Sequence, residues 1–432
     1  MKNINVGLIG FGTVGAGVVK ILQERKRFLK EKIGANILLK KICDKNIALK
    51  RPVRVDKSLL TANVNEILND PQIDIVVELI GGIKPAGDFI RQALLKGKHV
   101  VTANKALLAE EGKELFNLAH ERGRNIYFEA SVGAGIPVIK AVREGLVANK
   151  FQGVFGILNA TSNYVLSEMS RENCSFEKAL SEAKKRGFAE SNPSLDIEGV
   201  DSAHKLIILA YLCFGRFVAL KDIFVEGISR ISLMDIHYAR ELGWQIKLLA
   251  IAKKSRDELE VRVHPTLIPI EHPLSSISGI NNAIYVHSDL VGSLLFYGPG
   301  AGSLSAASAV VSDIVDLTKD IRAGLFKPTL NILPDSSLKG LRKLGDIESR
   351  YYIRFMTEDK PGVLAGVSGI LAKFGISIAS VNQKERKKAG VVPIVMVLHE
   401  AKEKNIRLAL ARINKLAPIK DDVVAIRIEE EF

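Results

Sequence analysis

The run INVGLIGFGTVGAGVVKIL, from Ile4 to Leu22, constrains the fold of this chain more than any other segment. Val6 to Ile9 is a short apolar run that reads as a buried strand. Gly10, Gly12 and Gly15 follow in GxGxxG spacing, and Val14, Val18, Val19 and Leu22 continue as a helix. The three glycines have separate physical reasons. Gly10 permits a tight turn, Gly12 lets backbone approach a pyrophosphate, and Gly15 lets helix and strand pack closely. The start of the helix then offers unpaired N–H groups to phosphates. Between a strand and a helix, this spacing predicts a dinucleotide-binding unit. The next strand, Ile37 to Cys43, ends at Asp44, where a carboxylate could hydrogen-bond the ribose hydroxyls of NAD. Lys45, Lys50 and Arg51 lie just beyond and could meet the 2′-phosphate of NADP, so the choice between NAD and NADP stays open.

Strand and helix patterns alternate over residues 1–135: IDIVVELIGG, a helix from Ala86, HVVTAN, a helix from Ala106, and NIYFEAS at 125–131. That alternation predicts a Rossmann-like, doubly wound parallel sheet. Ligands bind outside the C-terminal strand ends of such sheets, and Lys105 stands at one of them. Residues 136–300 change to an α+β pattern, expected to form a substrate domain. The stretch 298–320 is a glycine loop and a helix of small residues, able to pack back onto the nucleotide domain. Pro328, Pro334 and DSSLKG mark 321–349 as a linker. Residues 350–432 read βαββαβ, a ferredoxin-like unit, with Pro361 and Gly362 at its first strand-to-helix turn.

The formal charge of +13 raises the possibility of a nucleic-acid partner. The lysines and arginines are spread over many helices, without a finger, a helix-turn-helix or basic-aromatic interleaving. A solvated surface that attracts anionic cofactors is the expected reading, with no nucleic acid bound. Cys43, Cys174 and Cys213 have neither metal nor redox spacing and read as packing residues in a reducing compartment. No signal-peptide layout opens the chain, and no apolar run reaches the roughly 18 residues of a membrane span. A cytoplasmic protein without a membrane partner is expected.

The segment RGFAESNPSLDIEGVDSAHKLIILA, residues 186–210, concentrates Glu190, Asp196, Glu198, Asp201, His204 and Lys205 before an apolar helix. Asp201 and Lys205 are four apart and share a helix face. An exposed helix salt bridge has the same spacing. A carboxylate and an amine at the rim of a buried helix can also hold a zwitterion and move a proton.

Six blocks carry a resemblance: GFGTVG at 10–15, VTANKALLA at 101–109, EASVGAGIP at 129–137, the 187–210 block, ELGWQIKLLA at 241–250 and GPGAGSL at 298–304. Over essentially its whole length the chain resembles homoserine dehydrogenase in the bacterial form with a C-terminal ACT domain. The resemblance implies NAD(P)-dependent interconversion of L-aspartate 4-semialdehyde and L-homoserine, toward threonine, methionine and isoleucine. It implies that Phe11, Thr13 and Val14 lie along the cofactor pyrophosphate, with Gly187 and Gly302 at its border. Lys105 would stand beside nicotinamide and substrate, Glu190 and Asp201 would hold the substrate amino group, and Lys205 would give the proton. Asp196 is a candidate for orienting Lys205. A sodium ion would be held by the Glu129 carboxylate and the carbonyls of Val132, Ala134 and Ile136. A homodimer or homotetramer is implied, with an amino-acid effector, threonine foremost, on the C-terminal unit. Two rivals are a similar dehydrogenase acting on another small amino aldehyde or acid, and a dinucleotide-binding amino-acid sensor. The Asp201–Lys205 pair with Lys105 has no evident purpose in a sensor.

Overall fold

The computed structural model describes residues 3–325, 335–383 and 390–432. Pro328 and Pro334, and the end of the strand expected at ISIASVNQKE, lie outside the described residues. The first unit runs β1 (Asn3–Ile9), α1 (Thr13–Glu24), α2 (Lys26–Ile33), β2 (Asn36–Cys43), β3 (Leu60–Thr61), α3 (Asn65–Leu68) and β4 (Ile75–Glu78). It continues with α4 (Ala86–Leu95), β5 (His99–Thr102), α5 (Lys105–Glu121) and β6 (Ile126–Tyr127). The strands form a parallel sheet in the order β3-β2-β1-β4-β5-β6. This is the expected doubly wound layout, and the strand order reverses between β1 and β4, where such sheets open a crevice. The strand expected over 125–131 is shorter: it stops at Tyr127, and Glu129–Ser131 is a helical turn. The turn wins because the Glu129 N–H donates to Asp313 and the Ser131 N–H to the Phe128 carbonyl, so neither stays in the ladder.

The second unit holds α6 (Val138–Lys140), β7 (Phe151–Ile157), α7 (Ala160–Glu172), α8 (Phe176–Lys185), α9 (Ser194–Ile197) and α10 (Val200–Phe214). Then come β8 (Phe224–Val225), α11 (Leu233–Glu241), β9 (Trp244–Ser255), β10 (Glu258–Pro269), β11 (Asn281–Ser288), β12 (Gly292–Pro299) and α12 (Ser303–Ala323). Helix α12 packs against α1: a Cβ on Gly17 would lie 2.9 Å from that of Ala307. Val310, Ile314 and Leu317 of α12 share a core with Ile4, Val6 and Leu8 of β1. The chain therefore crosses between the two units twice. The crossings touch, since a Cβ on Gly135 would meet the Ser305 hydroxyl at 2.4 Å and one on Gly298 would contact Ile136.

The C-terminal part runs β13 (Gly340–Leu341), β14 (Glu348–Glu358), α13 (Val363–Lys373), β15 (Ile378–Gln383), β16 (Val391–Lys402), α14 (Glu403–Ile413) and β17 (Val424–Ile428). Its four main strands take the order β17-β14-β16-β15, as a ferredoxin-like unit requires. They do not form a separate sheet. Strand β17 pairs in parallel with β10, at Thr266↔Arg427 and Leu267↔Ile428, and β13 also pairs with β10. One eleven-stranded sheet thus spans the substrate and C-terminal units. The seam is ionic as well as hydrogen-bonded: fully buried Arg262 reaches Glu429 at 2.7 Å and Glu260 at 2.9 Å, and Lys253 reaches Glu429 at 2.6 Å. Phe432 stacks on His272 at 3.7 Å between ring centres.

Candidate active site

At the crevice beside β1 and β4, a cavity of about 490 Å³ is lined by Gly10, Gly12, Asp44, Lys45, Ile80 and Gly81, among others. Gly10 has φ +104, and a Cβ there would press on the Leu79 backbone at 2.7 Å. Gly15 approaches the Gly10 carbonyl so closely that a Cβ would lie 2.1 Å from its oxygen. Nothing lies within 4 Å of a Cβ on Gly12, which caps α1 without any side-chain hydrogen bond. An uncapped helix start facing an open hollow fits a pyrophosphate. Thr13 and Val14 begin that helix, and the Ser303 hydroxyl donates to the Thr13 carbonyl at 2.7 Å, which brings Gly302 to the same place. Gly187, with φ +74, lies exposed just after α8.

Asp44 stands at the end of β2, but its oxygens are engaged. It accepts the Phe11 N–H at 2.8 Å and the Asn46 N–H at 2.8 Å, and pairs with Arg51 at 3.1 Å. Arg51 also donates to the Phe11 carbonyl and lies over the Phe11 ring at 5.1 Å. The acid and the base suggested for the two cofactors therefore hold each other.

The second cluster straddles the two units. Thr102 donates to buried Glu78 at 2.6 Å, and Asn104 caps α5 through the Leu107 N–H while its amide donates to the Gly82 carbonyl. This network sets Lys105 at the first position of α5, and its ammonium meets Asp201 at 2.7 Å. Gly199, at φ +86, turns the chain into α10, where Asp201 and Lys205 are 6% and 8% exposed. Lys205 donates to Asp201 at 2.7 Å and to the Leu158 carbonyl at 2.6 Å. Burial alone would raise the Asp201 carboxyl, but the two ammoniums hold it well below the carboxylate range. Burial lowers the Lys205 ammonium, and Asp201 only partly offsets that. Lys105 is pulled down by burial but held above its ordinary value by Asp201. One carboxylate thus fixes two ammoniums of unequal acidity side by side.

Asp196 makes no hydrogen bond or ion pair with Lys205, but its charge acts on that ammonium. Its link runs through Asn159, whose amide donates to Asp196 at 2.7 Å and to Asp201 at 2.9 Å. Thr161 donates to Asp196 at 3.2 Å. Glu190 lies exposed near the cluster and makes its effect felt on Lys105 through charge. Asn159 and the Leu158 carbonyl escaped the sequence reading. The available signal was a polar residue directly after the buried β7 strand, a position that also caps a helix, and Asn159 caps α7.

Glu129 is buried, and both its oxygens accept backbone N–H groups, from Ile139 at 2.9 Å and Lys140 at 2.8 Å. Burial pushes its carboxyl up to about 7 against those two donors. Gly133 and Ala134 both have positive φ, 71° and 54°, and so curl the segment that carries the carbonyls of Val132, Ala134 and Ile136. One carboxylate with several carbonyls suits a hard cation.

Residues 137–315 match the homoserine dehydrogenase family, 10–129 the NAD-binding domain of homoserine dehydrogenase, and 351–418 the ACT domain. The homoserine dehydrogenase of Pseudomonas aeruginosa is 41% identical over 100% of both chains, and that of Bacillus subtilis 39% over 99% of both. The crystal structure of a homoserine dehydrogenase from Thiobacillus denitrificans superposes with a TM-score of 0.93 at 42% identity, over 100% of this chain and 99% of that one. A hyperthermophilic archaeal homoserine dehydrogenase in complex with NADPH aligns with a TM-score of 0.61 at 26% identity, over 73% of this chain and 98% of its own.

Proposed function

The chain belongs to the homoserine dehydrogenase family, with an NAD-binding domain and a C-terminal ACT domain, and from that premise we propose how its own residues carry the reaction. The reaction is the NAD(P)-dependent interconversion of L-homoserine and L-aspartate 4-semialdehyde, a step of threonine, methionine and isoleucine biosynthesis. The observation that carries the reading is the Lys105–Asp201–Lys205 triplet between the two units. The crevice residues would hold a nicotinamide cofactor, which would supply or accept the hydride. Lys205 gives its proton to the carbonyl oxygen as charge develops there, and takes it back in the reverse direction. Lys105 stabilises that oxygen and spans the gap to the nucleotide side. Asp201 keeps both lysines in place and, with Glu190, receives the substrate ammonium. Asp196 steadies Asp201 through Asn159. Homoserine-dependent appearance of reduced nicotinamide absorbance is the direct test. Its absence with both NAD and NADP would remove the reading.

Gly10, Phe11, Gly12, Thr13, Val14, Gly15, Gly187 and Gly302 border the cofactor in this proposal, with Asp44 at the ribose. Asp44→Ser removes a charge facing the 2′-phosphate and also frees Arg51 to meet it. The ratio of kcat/KM for NADP to that for NAD is expected to rise about fivefold, the scale of one solvated charge pair of about 1 kcal/mol. Steady-state kinetics with both cofactors measures it, and an unchanged ratio would move Asp44 away from the ribose.

Glu129 with the carbonyls of Val132, Ala134 and Ile136 is proposed to hold sodium. Exchange of sodium for tetramethylammonium is expected to lower activity in the wild type and to have no effect in Glu129→Ala. Equal sensitivity in both proteins would place the ion elsewhere. The protein is further proposed to be a cytoplasmic homodimer or homotetramer, with threonine as the ACT-domain effector. Among the described residues, no helix is long and apolar enough to cross a membrane.

A further inference from the structure

The Leu158 carbonyl, directly after β7, supports the Lys205 ammonium, and it is shared. The Asn282 amide N–H donates to the same oxygen at 3.0 Å, beside the 2.6 Å bond from Lys205. Strand register brings Asn282 there, because its neighbour Ala283 pairs with Ile157 across β11 and β7. The Asn282 side chain is fully buried, yet its Oδ1 has no hydrogen-bond partner. Turning the amide over would set that oxygen against the Leu158 oxygen, so the N–H must face the carbonyl. Buried polar atoms are normally satisfied, and an apolar side chain would fill this position without an orphan. Packing therefore gives no reason for an amide here. A donor to the oxygen beneath Lys205 does.

Gly300 closes on the amide from its other side. A Cβ at Gly300 would lie 2.2 Å from Asn282 Oδ1 and 2.3 Å from its Cγ. The Gly300 N–H donates to the Ile280 carbonyl at 3.0 Å, which ties the glycine loop to the segment leading into β11. That segment is pinned to α7 in turn. Asn163 donates to the Gly279 and Asn281 carbonyls, and the Gly279 N–H donates to the Ser167 hydroxyl. The backbone around Asn282 is thus fixed, and the side chain is confined between Gly300 and the Leu158 carbonyl.

We propose that Asn282 is a positioning residue for proton transfer: it fixes the Leu158 carbonyl beneath Lys205, and the bare Cα of Gly300 leaves it the room to do so. The inference rests on reading Lys205 as the proton donor. A carbonyl held by a second, buried donor cannot swing after the lysine, so the ammonium is aimed. Sharing also weakens the carbonyl's hold on each donor, and the amide turns the positive end of its dipole to that side. Both effects make the Lys205 proton easier to give up. The charged groups that act on Lys205 are Asp201 on its own helix, Lys105 from α5 and Asp196 from α9, and all three stay in place when Asn282 is changed.

The test uses the full-length protein with Asn282→Leu, Asn282→Ala, Gly300→Ala and the Asn282→Ala/Gly300→Ala pair, and Lys205→Ala as reference. Leucine nearly matches asparagine in size but has no donor. Stopped-flow reduction of the semialdehyde gives the rate and its alkaline limb, NADPH fluorescence reports cofactor binding, and a urea midpoint reports folding. Asn282→Leu is expected to keep its urea midpoint and its cofactor affinity. Its turnover is expected to fall about tenfold, and its alkaline limb to move to higher pH, because the unshared carbonyl then favours the charged lysine. Gly300→Ala pushes the amide off the carbonyl and is expected to show the same two changes. In the Asn282→Ala background it is expected to add nothing, since the two residues act through one contact. Should Asn282→Leu unfold early, the Gly300→Ala comparison decides alone. Normal turnover in Asn282→Leu, or slow turnover with an unmoved limb, overturns the positioning role. So does a Gly300→Ala that slows Asn282→Ala as much as it slows the wild type. With Lys205→Ala slow, those results leave the proton donor standing. Normal turnover in Lys205→Ala removes the donor reading and this inference together.

Discussion

Lys205→Ala is expected to lower turnover by about 100-fold or more, the usual scale for losing a positioned proton donor. The variant should remain folded and bind cofactor, because Asp201 keeps Lys105 and Asn159 as partners. Lys105→Ala is expected to cost a similar factor, and a pH profile separates the two roles. The Lys105 ammonium helps to lower the proton affinity of Lys205. In the reductive direction the donor must be protonated, so the rate falls as pH rises through the Lys205 titration. Removing Lys105 takes away a repelling charge and raises that titration, so the alkaline limb should move to higher pH. Stopped-flow reduction of the semialdehyde across the alkaline range measures both effects. Near-normal turnover in both variants would sink the assignment, and an unmoved limb in Lys105→Ala would assign the limb to another group.

The second large effect concerns the seam between the substrate and C-terminal units, inside their shared sheet. Glu429→Ala leaves Arg262 buried with Glu260 as its remaining partner, and breaking a buried pair from one side costs about 3–5 kcal/mol. Urea denaturation should show a lowered midpoint, and an unchanged midpoint would mean that water reaches Arg262. The same geometry bears on a truncation after Ser349. Cutting there deletes β17 from the edge of β10, Glu429 from Arg262, and Phe432 from His272. Such a truncation is expected to be insoluble or unstable, so it is a poor probe of regulation.

Much of this architecture was legible in the residues. The alternation of apolar strands and helices, the glycine spacing at 10–15 and the βαββαβ pattern at the end are local signals, and each element forms for local reasons. The four-residue spacing of Asp201 and Lys205 also announces a contact, observed at 2.7 Å. What escaped depends on residues distant in sequence. Strand β17 pairs with β10 over two residue pairs, separated by about 160 positions, and no periodicity reports a partner. Asp44 reads as a free ribose ligand until Phe11 and Arg51 are seen to occupy it. Asn159 looks like an ordinary helix cap until its amide is seen to join two carboxylates from another segment. The strand expected over 125–131 ends early because Asp313, from α12, draws the Glu129 N–H out of line.

The two contiguous crossings, at Gly135 against Ser305 and Gly298 against Ile136, have a mechanical meaning. Two passages that touch gather both chain connections between the units at one edge, and everything beyond that edge is held by side chains alone. Leu107, Leu115 and Phe116 of α5 are buried in one core with Leu206 and Ile207 of α10, and Phe116 stacks on Tyr211. Lys105 and Asp201 stand on opposite sides of that packed boundary. The spacing of their charges is therefore set by the apolar mortar beneath them, and a void cut into that mortar would reach the ammonium–carboxylate distance without touching either group.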